Sequence, residues 1–166
     1  MERIQFEAIW CMTNIASSES QYVLKLVDCG AIKTLIKLLD VEVSITVKEQ
    51  AIWCLGNIAG DSHLFRDSIV NEGAIDKISV ILSQAPPETS LVRNASWTLA
   101  NFGKGKPMIK IKDFTPAIFT LTKILNENTN EDVLSDIVWA FSYVTDEGGD
   151  ETILPFIQAD LAPRLL

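Results

Sequence analysis

Residues 51–61 read AIWCLGNIAGD. The stretch has the composition of a helix, and Trp53 and Asn57 lie four positions apart in it, so both project from one side. Taking Gln50 as origin at about 100° per residue, Trp53 falls at about −60°, Asn57 at about −20° and, if the helix continues, Asp61 at about +20°. Ala51, Leu55 and Ile58 fall at about 80–140°, and Ile52 and Ala59 at about 180–200°. The helix therefore has an aliphatic stripe bound for a core and a second stripe carrying Gln50, Trp53 and Asn57.

The phrase recurs. It reads AIWCMTNIASS at 8–18, ASWTLANFGKG at 95–105 and, more loosely, IVWAFSYVTDE at 137–147. All four tryptophans, Trp10, Trp53, Trp97 and Trp139, fall on this register at intervals of 43, 44 and 42 residues. A second phrase runs between them: VDCGAIKTLIKLLD at 27–40, VNEGAIDKISVILS at 70–83, and degraded forms at 112–125 and 157–166. Its apolar positions Ile32, Leu35, Ile36 and Leu39 follow helical spacing. A helical period of this length points to armadillo or HEAT units. Gly30 and Gly73 suit a sharp bend between a short helix and a longer one. Pro116 takes the glycine's place in the third unit, where it suits the first turn of a helix. Sustained period-two alternation is missing, which argues against strands. The expected architecture is all-α, a solenoid of about three to four repeats. Its divisions are a partial repeat at 1–18, repeats at 19–61, 62–105 and 106–147, and a partial repeat at 148–166.

Composition narrows the function. The chain has 166 residues, 48% hydrophobic and 22% charged, with a net charge of −8. This is a globular composition. The acidic balance repels nucleic acid and anionic membrane and attracts basic partners. No apolar run is long enough to span a bilayer, and residues 1–10 lack a signal-peptide layout. Cys11, Cys29 and Cys54 fit neither a disulfide framework nor a zinc site and are expected as buried free thiols. An enzyme is not expected. His63 stands alone and reads as a helix-start or surface residue. GKGK at 103–106 lacks the frame of a phosphate loop, and DEGGDE at 146–151 lacks a calcium-loop pattern. No metal or cofactor is expected.

Two readings compete for the tryptophans. Each indole could pack against the next repeat as core. Alternatively, the stripe could line the inner surface of a superhelix. Four in register on the polar side of well-patterned helices favour the second. The stripe repeats as Glu7, Trp10, Asn14; Gln50, Trp53, Asn57; Asn94, Trp97, Asn101; and Asp136, Trp139, Tyr143. An asparagine amide can pair with both N–H and C=O of an extended peptide. Helices pack about 8–10 Å apart and two extended residues span about 6.6–7 Å, so on a concave face a peptide advances about two residues per repeat. A slot between two indoles suits a methylene stem ending in a cation. Asp61 and Asp136, with Asp146 and Glu147 nearby, supply the negative field. The residues describe a groove for an extended, lysine-rich peptide.

FEAIWCMTNIAS, VKEQAIWCLGNIAGDS, LVRNASWTLANFGKGK and VLSDIVWAFSYVTD together resemble the importin-α (karyopherin-α) armadillo-repeat family over nearly the whole chain. The resemblance implies a right-handed superhelical solenoid, recognition of nuclear localisation signals, and residence in cytoplasm and nucleus. It implies a major signal site on Trp10 with Asn14, Trp53 with Asn57, and Trp97 with Asn101. It also implies Asp61 as acidic partner of the signal's key lysine. Gln50, Asn94 and Asp136 match groove positions, and Trp139 with Tyr143 the end of the site. Val23 stands where the family often has a threonine beside that lysine, Ser18 where glycine is usual, and Lys104 where arginine is usual.

The resemblance maps onto the early-middle repeats, without the importin-β-binding segment, so importin-β is not expected to bind. Both ends read as truncated and uncapped, and self-association through them is expected. The competing reading is a structural armadillo scaffold for acidic or helical partners. The acidic sign of the stripe, with Lys104 and Lys106 as its nearby basic residues, speaks for a basic ligand instead.

Overall fold

The computed structural model describes residues 2–146 and 148–161. Glu147, and the helix anticipated at the end of the chain from residue 162 onward, lie outside the described residues. Among the described residues ten helices follow one another: α1 (Glu2–Ala16), α2 (Ser20–Asp28), α3 (Ala31–Asp40), α4 (Ile45–Asp61), α5 (His63–Asn71), α6 (Ala74–Ser83), α7 (Ser90–Gly103), α8 (Ile111–Glu127), α9 (Glu131–Thr145) and α10 (Asp150–Gln158). The tryptophan-bearing helices α1, α4, α7 and α9 pack side by side in that order. A second row, α3, α6 and α8, packs in register behind them. This is the all-helical solenoid expected from the repeat period.

Local chemistry sets the joints. Gly30 and Gly73 adopt φ of +83° and +77° between the short and long helices of their units. The left-handed region is open to glycine at little cost. The Gly30 N–H donates to the Val27 carbonyl at 2.9 Å, closing the end of α2. Ser62 caps α5 by accepting from the Leu64 N–H at 3.2 Å. Asn130 caps α9 by accepting from the N–H groups of Asp132 and Val133.

The third unit departs from expectation at Pro116. No bend occurs there: α8 runs unbroken from Ile111 to Glu127 with Pro116 in its interior. The ring holds φ near −65°, so the left-handed turn used by Gly30 and Gly73 is closed to proline. Proline six residues into the helix instead removes one N–H, whose partner would be the Lys112 carbonyl. Two helices of the other units are thereby fused into one.

The core is a continuous strip between the two rows. Ile32, Leu35, Ile36 and Leu39 of α3, Ile52, Leu55 and Ile58 of α4, and Leu99 and Phe102 of α7 are all buried. The cysteines correct the expectation of three buried thiols: only Cys54 is buried, while Cys11 and Cys29 are exposed. Cys54 faces α1 beside the Thr13 side chain, whereas Cys11 lies on the first helix, where no described helix covers the equivalent side.

Candidate functional site: a tryptophan and asparagine ladder

The four tryptophan helices place their indoles in a row, but not in identical settings. Trp10, Trp53 and Trp139 expose 49%, 41% and 55% of their surface, so none of these three is a core residue. Trp97 is half-buried, and its ring lies over Gly56, where even a Cβ would come within 2.7 Å of Trp97 Cζ3. A glycine in α4 thus makes the notch that seats the indole of α7. The core reading and the surface reading both hold for Trp97, one for each face of the ring. Trp10 meets Phe6 edge-on at 5.8 Å, and Trp139 stacks on Tyr143 at 5.7 Å.

The asparagines are held by the helix one unit earlier. Asn57 Nδ2 donates to the Thr13 carbonyl and Asn101 Nδ2 to the Gly56 carbonyl, each at 3.3 Å. Thr13 and Gly56 occupy equivalent positions, immediately before Asn14 and Asn57. One N–H of each amide therefore orients the side chain. The other N–H and the carbonyl oxygen have no protein partner among the described residues, which leaves one donor and one acceptor for a ligand. Asn14, on the first helix, is exposed.

Gln50 sits apart from the stripe it shares on a helical wheel. It is buried, and its amide donates to Thr13 Oγ1 at 2.8 Å. The wheel treats the helix as isolated, whereas α1 covers this edge of α4. Its counterpart Asn94 is half-buried and donates to Glu49 Oε1 at 2.7 Å. Both tie adjacent tryptophan helices together behind the indoles.

Carboxylates accompany the ladder. Asp61 ends α4, and its Oδ1 accepts from the Ser20 hydroxyl at 2.6 Å. Asp136, in α9, lines a cleft of about 290 Å³ with Asn94, Trp97, Ser135 and the Arg93–Asp132 ion pair. Burial, then the negative charge of Asp132, pushes the Asp136 carboxyl above its usual range, and Arg93 opposes them. Asp146 is bridged to Lys106 at 3.3 Å, so its contribution to the negative field is partly spent.

Two arginines carry roles that sequence reasoning missed. Arg93 brings a cation to the cleft, beyond the Lys104 and Lys106 pair. The signal was available, since it directly precedes the stripe residue Asn94, but its reach to Asp132 on the next tryptophan helix is a matter of packing. Arg66 of α5 is 1% exposed. Its guanidinium donates to the Lys104 carbonyl at 2.9 Å and the Pro107 carbonyl at 2.5 Å, and pairs with Asp67 at 2.9 Å. It anchors the loop carrying Lys104 and Lys106 from beneath. Periodicity offers no warning of an arginine inside the core. His63 is exposed and opens α5. Val23 is completely buried.

Residues 20–60 match the Armadillo/beta-catenin-like repeat family. Importin subunit alpha-4 of Arabidopsis thaliana is 46% identical over 164 residues, covering 99% of this chain. Importin subunit alpha-1a of Oryza sativa subsp. japonica is 41% identical over the same share. The chain is an armadillo-repeat solenoid similar to importin α. It spans 30% of the length of each of these two relatives. Among solved structures, a designed armadillo repeat protein in complex with the peptide (KR)4 superposes with a TM-score of 0.84 at 28% identity. That match covers 99% of this armadillo chain and 67% of the designed one.

Proposed function

We propose that this solenoid is a peptide-binding module of the nuclear import type, taking lysine-rich nuclear localisation signals as extended chains along the ladder. The observation that carries the reading is the row of indoles on successive tryptophan helices, Trp10, Trp53 and Trp139 exposed and Trp97 half-buried, with Asp61 at the end of α4 and Asp136 in the cleft beside Trp97. Indole faces and carboxylates together favour a long apolar stem with a positive end. The oriented amides of Asn57 and Asn101 pair with peptide backbone, and their prior anchoring lowers the entropy lost on binding. The similarity to importin-α subunits and to a designed armadillo protein holding an alternating Lys-Arg peptide supports the same ligand class. A protein with this task works in cytoplasm and nucleus.

The test is an anisotropy titration with a labelled lysine-rich signal peptide. A peptide with its key lysine changed to alanine and the Asp61→Lys protein run beside it. Saturable, salt-sensitive binding that both changes abolish is the expected result. Absence of binding by folded protein would put the scaffold reading ahead.

A further inference from the structure

Ser20 is the first residue of α2, and its hydroxyl reaches the end of α4 to donate to Asp61 Oδ1 at 2.6 Å. The pair is separated by 41 residues and meets because α2 packs against α4. The distance is that of a charge-assisted O–H···O⁻ bond. Val23, on the same helix, is completely buried and has no hydroxyl to offer beside this pair.

We infer that Ser20 is a specificity-determining residue of the groove, forming with Asp61 a two-oxygen seat that prefers a lysine ammonium to an arginine guanidinium. The inference rests on the lysine-groove reading above. With its proton directed at Asp61, the Ser20 oxygen keeps lone pairs for an incoming donor. An ammonium is a compact centre with three rotatable N–H groups, able to share Ser20 Oγ and the second Asp61 oxygen. A guanidinium fork requires both oxygens of one carboxylate in parallel. Ser20 already engages one of them, so arginine gains less.

The experiment compares two labelled signal peptides that differ only at the position whose change to alanine is most costly, one carrying lysine there and the other arginine. Wild type, Ser20→Ala and Ser20→Thr are titrated with both, and circular dichroism follows the fold. Wild type is expected to favour lysine by about tenfold. Ser20→Ala weakens the lysine peptide about five- to tenfold and the arginine peptide less than about twofold. Ser20→Thr keeps the hydroxyl and the preference. Equal losses on both peptides, or an unchanged lysine affinity, overturn the role of Ser20 and leave the lysine groove standing. No binding of either peptide by folded wild type overturns both.

Discussion

Asn57 and Asn101 each spend one N–H on a carbonyl of the preceding tryptophan helix, and this decides what they can offer a ligand. A free surface asparagine would lose rotamer freedom on binding, whereas these amides are already oriented. Cys54 shows the opposite use of an inter-helix contact. Burial pushes its thiol up to about 12, although the Thr13 hydrogen bond works against this. A polar thiol reagent should therefore modify Cys11 and Cys29 in the folded protein and reach Cys54 only after denaturation, which mass spectrometry resolves. Asp136 makes a pH prediction. Its folded pKa is raised, so between the ordinary carboxylate value and the raised one the folded state holds a proton that the unfolded state has released. Asp136 thus favours folding as pH falls through that window and opposes it above. A bound cation needs the ionised form. Affinity for a lysine peptide should weaken on acidification already above the ordinary carboxylate range, and Asp136→Asn should remove that step from the anisotropy profile.

Two glycines test what holds the helices in place, for different reasons. A Cβ at Gly56 would lie 2.5 Å from Thr98 Oγ1 and 2.7 Å from the Trp97 ring. Gly56→Ala should push α7 away from α4 and cost about 1–3 kcal/mol in urea unfolding, with Trp97 fluorescence shifting as the ring leaves its notch. At Gly30 nothing stands within 4 Å of such a Cβ, so the penalty is backbone strain alone at φ +83°. Gly30→Ala should cost about 1–2 kcal/mol and leave the indole environment unchanged. The contrast with Pro116 follows from the same torsion. Where φ cannot turn positive, the chain stays helical and the joint between two helices disappears.

At the scale of the molecule, each unit leans on the next through polar bonds as well as apolar packing. Asn128 is buried and donates to the Pro87 carbonyl at 2.6 Å, linking the loops that precede α9 and α7. Arg66 does the same for the 104–107 loop. Arg66→Met should cost about 2–4 kcal/mol by urea unfolding, because two carbonyls lose a charged donor and the Asp67 partner is lost as well. The freed loop should also become sensitive to trypsin at the Lys104–Gly105 bond, and limited proteolysis reads this directly.

The repeat register was legible in the chain because four tryptophans at intervals of 42–44 residues cannot arise from one helix's own needs. Helical periodicity also separated the aliphatic stripe from the tryptophan stripe, since that separation depends only on residues per turn. Sequence alone therefore determined the all-helical solenoid, the alignment of its units and the residue types of the ladder. Packing decided the rest. Gln50 is buried because α1 covers its edge of α4, Trp97 is half-sunk because Gly56 lacks a side chain, and Arg66 is interior because two backbone carbonyls one unit away receive it. Each of these depends on a neighbour 37–41 residues distant, and the 3.6-residue pattern of a single helix carries no information about what stands across from it.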